Sequence, residues 1–172
     1  MSRRVAIQGF AGSFHEEAAR RYYGGNFAEM PRIVECSTFD GLYKAMEQGV
    51  ADCAIMAIEN TISGGLLPNF ELLRKYSQKI KGEIYLHIHQ NLMALPGQKL
   101  EDIREVRSHY MAINQTREFF ETRCPCMRMV EAEDTAKSAA DLAEQKLMGV
   151  GAVASKLAAQ MYGLEILEPE IE

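Results

Sequence analysis

Short apolar runs alternate with stretches of helical period along almost the whole chain, and that order leaves few folds open. Residues 5–7 predict a strand, and Gly9 to Gly12 a turn. Ser13 follows as a helix N-cap with Glu16 three residues on, the pattern of a capping box. Phe14, Ala18 and Tyr22 share a face of the next helix, and Gly24-Gly25 supplies its stop. Residues 33–36 predict a second strand. Thr38 opens a second helix with Phe39, Leu42, Ala45 and Met46 on its buried side. Residues 51–58 predict a third strand, apolar enough to be covered on both faces. Strand, helix, strand, helix, strand predicts a parallel sheet with right-handed crossovers, an α/β fold.

A polar, glycine-rich loop follows, Glu59-Asn60-Thr61-Ile62-Ser63-Gly64-Gly65, and then a helix over 68–76 with Pro68 in its first turn. Residues 83–95 read as one long strand. Ile84, Leu86 and Ile88 alternate there with Tyr85, His87 and His89. The two histidines share a strand face, which suits either a metal or packing in a core or an interface, and packing is the expected role. After Pro96-Gly97 the alternation resumes. A strand near Val106, a helix over 111–121, a strand over 127–130 and a helix over 135–145 are expected. A strand over 149–154, a helix capped by Ser155 and ending at Gly163, and a strand over 164–167 complete the pattern. The long central strand predicts two βα lobes with a cleft between them: lobe 1 over 1–77 and lobe 2 over 78–167. Residues 168–172 then start an incomplete crossing back to lobe 1.

Composition narrows the function. A net charge of −5 lacks the clustered basic face that nucleic acid needs. No apolar run has the length of a membrane span. Met1-Ser2-Arg3-Arg4 leads straight into the first strand without the apolar stretch of a signal peptide, so the compartment expected is the cytoplasm. Cys36, Cys53, Cys124 and Cys126 are then free thiols. Cys124-Pro125-Cys126 has no second Cys/His pair at ligand spacing, so neither a metal nor another cofactor is expected. Ligands of open α/β folds bind at the carboxyl ends of strands, beside helix N-termini that favour anions. The loops at such ends are 9–13, 59–64, Ser108-His109 and Asp134-Thr135. Read physically, the chain holds a small anionic organic ligand, and no reaction is identified.

Those same loops resemble the prephenate dehydratase family. Its Gly-Pro-x-Gly-Thr-Phe-Ser is matched by Gly9-Phe10-Ala11-Gly12-Ser13-Phe14-His15, and its Glu-Asn-Ser-x-x-Gly by Glu59-Asn60-Thr61-Ile62-Ser63-Gly64. Its Ser-His-Pro-Gln-Ala-Leu-x-Gln-Cys is matched by Ser108 to Thr116, and its Ser-Thr-Ala-x-Ala-Ala by Asp134 to Ala139. Its Ala-Ala-Ile-Ala-Ser, then Ala-Ala-x-x-Tyr-Gly-Leu, is matched by Gly151 to Ser155, then Ala158 to Leu164. Tyr110, Met111 and Gln90 depart from the pattern, where the family has Pro, Gln and often His. The family's Thr-Arg-Phe motif and a regulatory ACT domain do not appear in this sequence.

The resemblance implies a two-lobed fold similar to the type II periplasmic binding proteins. It implies a carbon–oxygen lyase that decarboxylates and dehydrates prephenate to phenylpyruvate in phenylalanine synthesis. Arogenate dehydration and a two-lobed anion-binding module without catalysis are the alternatives. The implied ligand is a small dicarboxylate, and the complete protein is expected to be a dimer or tetramer without nucleic acid or membrane partners. Gly12, Ser13, Glu59, Asn60, Thr61, Gly64, His109, Gln115, Thr135 and Ala136 are the implied substrate-binding residues. Ser13 and Thr135 also serve as plain helix-start residues, Asn60 and Thr61 as turn residues, and Glu59 as a solvated carboxylate. The implied acid and carboxylate clamp are the Thr and Arg of Thr-Arg-Phe, so no catalytic residue is assigned here. The chain alone is then expected to be nearly inactive, with a loosely held tail near Glu170.

Overall fold

The computed structural model describes residues 3–24, 30–62 and 64–172. Met1, Ser2, Gly25 and Ser63, which entered the readings above, lie outside the described residues. The chain divides into two compact units. One comprises Met1–Phe10 with His15–Leu86, the other Ala11–Phe14 with His87–Glu172.

The first unit is built on β1 (Arg4–Gln8), followed by α1 (Phe14–Tyr23), β2 (Arg32–Cys36), α2 (Phe39–Glu47) and β3 (Cys53–Ala54). The strands form a parallel sheet in the order β2-β1-β3. Being central, β1 is covered on both faces, and period-2 alternation divides its side chains. Ala6 packs with Leu42, Tyr43 and Ala45 of α2, while Val5 and Ile7 pack with Ala19 of α1. Thr38 caps α2, its Oγ1 accepting the Gly41 N–H at 3.1 Å. The third strand is shorter than its apolar run suggested. Only Cys53 and Ala54 pair with β1, and residues 55–58 leave the ladder half-exposed or exposed. A two-residue hairpin, β4 (Glu59–Asn60) with β5 (Gly64–Gly65), and α3 (Leu67–Lys75) follow.

The second unit holds β6 (Asn91–Ala94), β7 (Glu105–Ser108), α4 (Tyr110–Gln115), α5 (Arg117–Arg123) and β8 (Arg128–Glu131). It continues through α6 (Thr135–Gln145), β9 (Val150–Ala154), α7 (Lys156–Tyr162) and β10 (Glu165–Glu168). Its sheet runs β10-β6-β9-β7-β8. Strands β7, β8 and β9 are parallel, β6 joins β9 antiparallel, and β10 pairs antiparallel with β6. Leu92, Ala94, Ile103, Val106, Phe120 and Val153 form its core.

Several expectations differ from the structure. Residues 83–90 form no ladder, and the strand begins only at Asn91. Apolar alternation is necessary for a strand but pairing makes one, and Tyr85 is 82% exposed. His87 is exposed and His89 half-exposed, so neither packs in the core of its unit. The helix read over 111–121 is two helices broken at Thr116. Its buried Oγ1 donates to Ala112 O at 2.8 Å, the back-bonding that bends helices. The tail is well held. Ile171 is buried in the core of the second unit, and its N–H donates to Gln90 O at 2.8 Å. Residues 168–172, read as the start of a crossing to the first lobe, thus belong to the second unit.

Candidate functional site

Parallel strands β7, β8 and β9 point their carboxyl ends to one edge of the second unit's sheet, and α4, α6 and α7 start there. Antiparallel β6 starts at the same edge, because Asn91 pairs with Ala154. One rim therefore carries Gln90, Asn91, His109, Asp134, Thr135 and Ser155. The segment 11–14 is fastened to it. Ser155 Oγ donates to Gly12 O at 2.6 Å and accepts the Ala158 N–H at 3.0 Å, capping α7. Tyr162 Oη donates to Ala11 O at 2.6 Å. Gly12 has φ +86°, which favours glycine, and Ser13 is buried beside it.

Each helix start is already capped. His109 Nδ1 accepts the Met111 N–H at 3.3 Å. Asp134 Oδ1 accepts the Lys137 N–H at 2.9 Å. Burial pushes the Asp134 carboxyl up, against the Lys137 and Ala136 N–H groups and the nearby His109, which pull it down. Ala136 is fully buried in the first turn of α6. Thr135 remains half-buried at the first position of α6.

Asp134 yields a first prediction. Asp134→Asn keeps an acceptor for the Lys137 N–H and removes the desolvated charge. Because the folded carboxyl titrates above its unfolded value, Asp134 costs stability as pH rises through that interval. Asp134→Asn is expected to match or exceed the parent at pH 7 and to lose that part of the pH dependence. Asp134→Ala, without a cap, is expected to lose about 1 kcal/mol. Urea titration at pH 4 and pH 7 reads both.

Gln115 lies apart from the helix starts, in the last turn of α4. Its Oε1 accepts from Gln90 Nε2 at 2.8 Å, while the buried Gln90 Oε1 has no partner among the described residues. Gln115 also lines a groove of about 340 Å³ with Glu118, Phe119, Thr122, Glu170, Ile171 and Glu172. Three carboxylates make that groove a poor host for an anion. Gln90, Ser155 and Tyr162 were not read as site residues. The available signal was a polar pair, Gln90-Asn91, opening an otherwise apolar strand.

In the first unit, Glu59, Thr61 and Gly64 are exposed on the β4–β5 hairpin. Asn60 is half-buried, and its Oδ1 accepts the Ile62 N–H at 2.9 Å, an Asx turn.

The prephenate dehydratase family model matches residues 5–172. Arogenate dehydratase 5 of Arabidopsis thaliana, a chloroplastic protein, is 36% identical over 98% of this chain and 39% of its own length. Arogenate dehydratase 2 of Petunia hybrida is 37% identical over 98% and 41%. This chain thus spans about two fifths of those relatives. Among solved structures, the prephenate dehydratase of Arthrobacter aurescens in complex with L-Phe has a TM-score of 0.85 at 26% identity, covering 98% of this chain and 55% of that one. A second, described as GqqA, a novel type of quorum quenching acylase, has a TM-score of 0.86 at 31% identity, covering 99% and 60%. Curated relatives overturn the cytoplasmic expectation, because arogenate dehydratase 5 and two further Arabidopsis thaliana relatives are chloroplastic. Plastid transit peptides carry no apolar core, so an apolar-stretch criterion was no guide to compartment. No helix among the described residues is long and apolar enough to cross a membrane.

Proposed function

We propose, for a chain that belongs to the prephenate dehydratase family, that it holds prephenate while the ring loses carbon dioxide and hydroxide. The electron pair of the breaking C–CO₂⁻ bond enters the ring as hydroxide leaves with a proton, and phenylpyruvate, water and carbon dioxide result. That balance is internal and calls for no redox partner. The protein's tasks are to seat two carboxylates, keep the ring dry and present a proton.

The observation that carries this reading is the rim of the second unit, with Gly12, Ser13, His109 and Thr135 beside helices that start at three strand ends. Helix starts and hydroxyls favour a carboxylate. The Asn60 and Thr61 hairpin enters through the family resemblance. Arogenate is the second reading, favoured by the names of the curated relatives. It shares the ring and differs in bearing an amine where prephenate has a ketone.

Thr135→Ala and Asn60→Ala in the complete protein are expected to keep the fold and to lower kcat/KM. A hydrogen bond to a charged group contributes about 1.5–3 kcal/mol, which corresponds to roughly 10- to 150-fold. Wild-type kinetics in both variants would remove these residues from the site. Parallel assays with prephenate, arogenate and an N-acyl amide separate the two dehydratase readings from acylase chemistry.

A further inference from the structure

The segment that leads into the second unit brings together groups the dehydratase reading does not use. His87 and His89 are two residues apart, their rings stacked with centroids 4.2 Å apart and 6° from parallel. His89 Nδ1 lies 3.0 Å from Glu172 Oε1 and 3.9 Å from Glu170 Oε1. One donor atom from each of His87, His89 and Glu172 falls within 4.8 Å of the others. The carboxylate is positioned rather than loose. Glu172 Oε2 accepts the Gln90 N–H at 2.7 Å, and the adjoining Ile171 N–H donates to Gln90 O at 2.8 Å. With Ile171 anchored in the core, this pair of bonds fixes the tail beside His89 and turns Oε1 to the imidazole.

We infer that His87, His89 and Glu172 bind a divalent late transition-metal ion of the Zn²⁺ or Ni²⁺ type, with water or Glu170 completing the shell. Imidazole nitrogen with one carboxylate is the donor set such ions prefer, whereas Mg²⁺ and Ca²⁺ select oxygen alone. Ligand bonds of about 2.0–2.2 Å separate the donors of a tetrahedral ion by roughly 3.4 Å. The 3.0 Å pair is already close to that. The wider separation closes by rotation of His87, which is exposed. Gln90 acts as the outer group that orients a ligand, as carbonyls and amides do around metal sites. The site rests on the second unit alone and stands or falls separately from the dehydratase reading.

The test is isothermal titration of Ni²⁺ into the chain, with Co²⁺ absorption to identify the donors. All four cysteines are free thiols, so thiolate ligation has to be distinguished. The expected result is one ion per chain and Co²⁺ bands without thiolate-to-metal charge transfer. His89→Gln and Glu172→Gln should each weaken binding at least about tenfold, the lower range seen even for outer-shell changes. The double variant His87→Gln/His89→Gln should abolish binding, and Cys126→Ser should leave it unchanged. Circular dichroism checks that these surface variants fold. Absence of binding at millimolar Ni²⁺, binding that survives in the double variant, or a thiolate band would each overturn the proposal.

Discussion

Gly12→Ala is expected to destabilise the second unit by about 2–4 kcal/mol, from left-handed strain and a steric clash together. The residue sits at φ +86°, where an L side chain is strained. The new Cβ would also lie 3.0 Å from Ala158 Cα, 3.2 Å from Ala158 Cβ and 3.4 Å from Tyr162 Cε2. The closest of these is backbone of α7, which cannot rotate away. Moving the loop instead would stretch the bonds from Ser155 to Gly12 O and from Tyr162 to Ala11 O. Ser13 would move with it. For a chain of this size, a melting temperature lower by roughly 5–15 °C is expected. Gly163→Ala is the control. Its φ is +66°, but nothing lies within 4 Å of the added Cβ, so strain alone of about 1 kcal/mol is expected. Equal losses in the two variants would remove the steric part of this account.

The second large effect is acid sensitivity centred on His15. Burial pushes its imidazole down to about 4, against a hydrogen bond from the ring to the Gln8 backbone that works to raise it. Its Nε2 is sealed from solvent and has no partner among the described residues, and Phe39 lies edge-on at 5.6 Å. The folded state therefore holds the ring neutral, while the unfolded chain takes up its proton near pH 6.5. Below that pH the unfolded state binds more protons, so stability falls with pH. The contribution is intact above about 6.5 and is lost progressively down to about 4. The full loss is on the order of 3 kcal/mol. Asp52, held down to about 2 by Arg4, adds its own loss only lower, as pH falls through the ordinary carboxylate range. His15→Asn is expected to be less stable at pH 7 and to lose the His15 part of the slope between pH 6.5 and 4. Urea titrations across that window check it, and equal slopes in parent and variant would contradict it.

Much of this fold was legible because its helices have one apolar face and its strands lie between them. Leu42 and Ala45 in α2 and the apolar run of β9 carry that pattern without interference. Residues 83–90 carry the strand pattern too, yet they form no ladder with any described residue. Pairing is a tertiary fact that local alternation does not encode. The break at Thr116 was hidden for a similar reason, since whether a buried hydroxyl turns to the preceding turn depends on what surrounds it. At the rim, the residue types were readable but their prior engagements were not. Asp134 reads as a loop carboxylate in sequence, and in the structure it caps α6 by accepting the Lys137 N–H. Ser155 read as a helix cap and proves also to hold Gly12 in place.

The most direct test of the central claim is turnover of prephenate by the full-length gene product. Product is followed as phenylpyruvate, with Thr135→Ala run alongside. The expected result is phenylpyruvate formation by the parent, and a rate at limiting prephenate lower by roughly 10- to 150-fold in the variant. A protein that neither binds prephenate nor forms phenylpyruvate, while staying folded, would contradict the account.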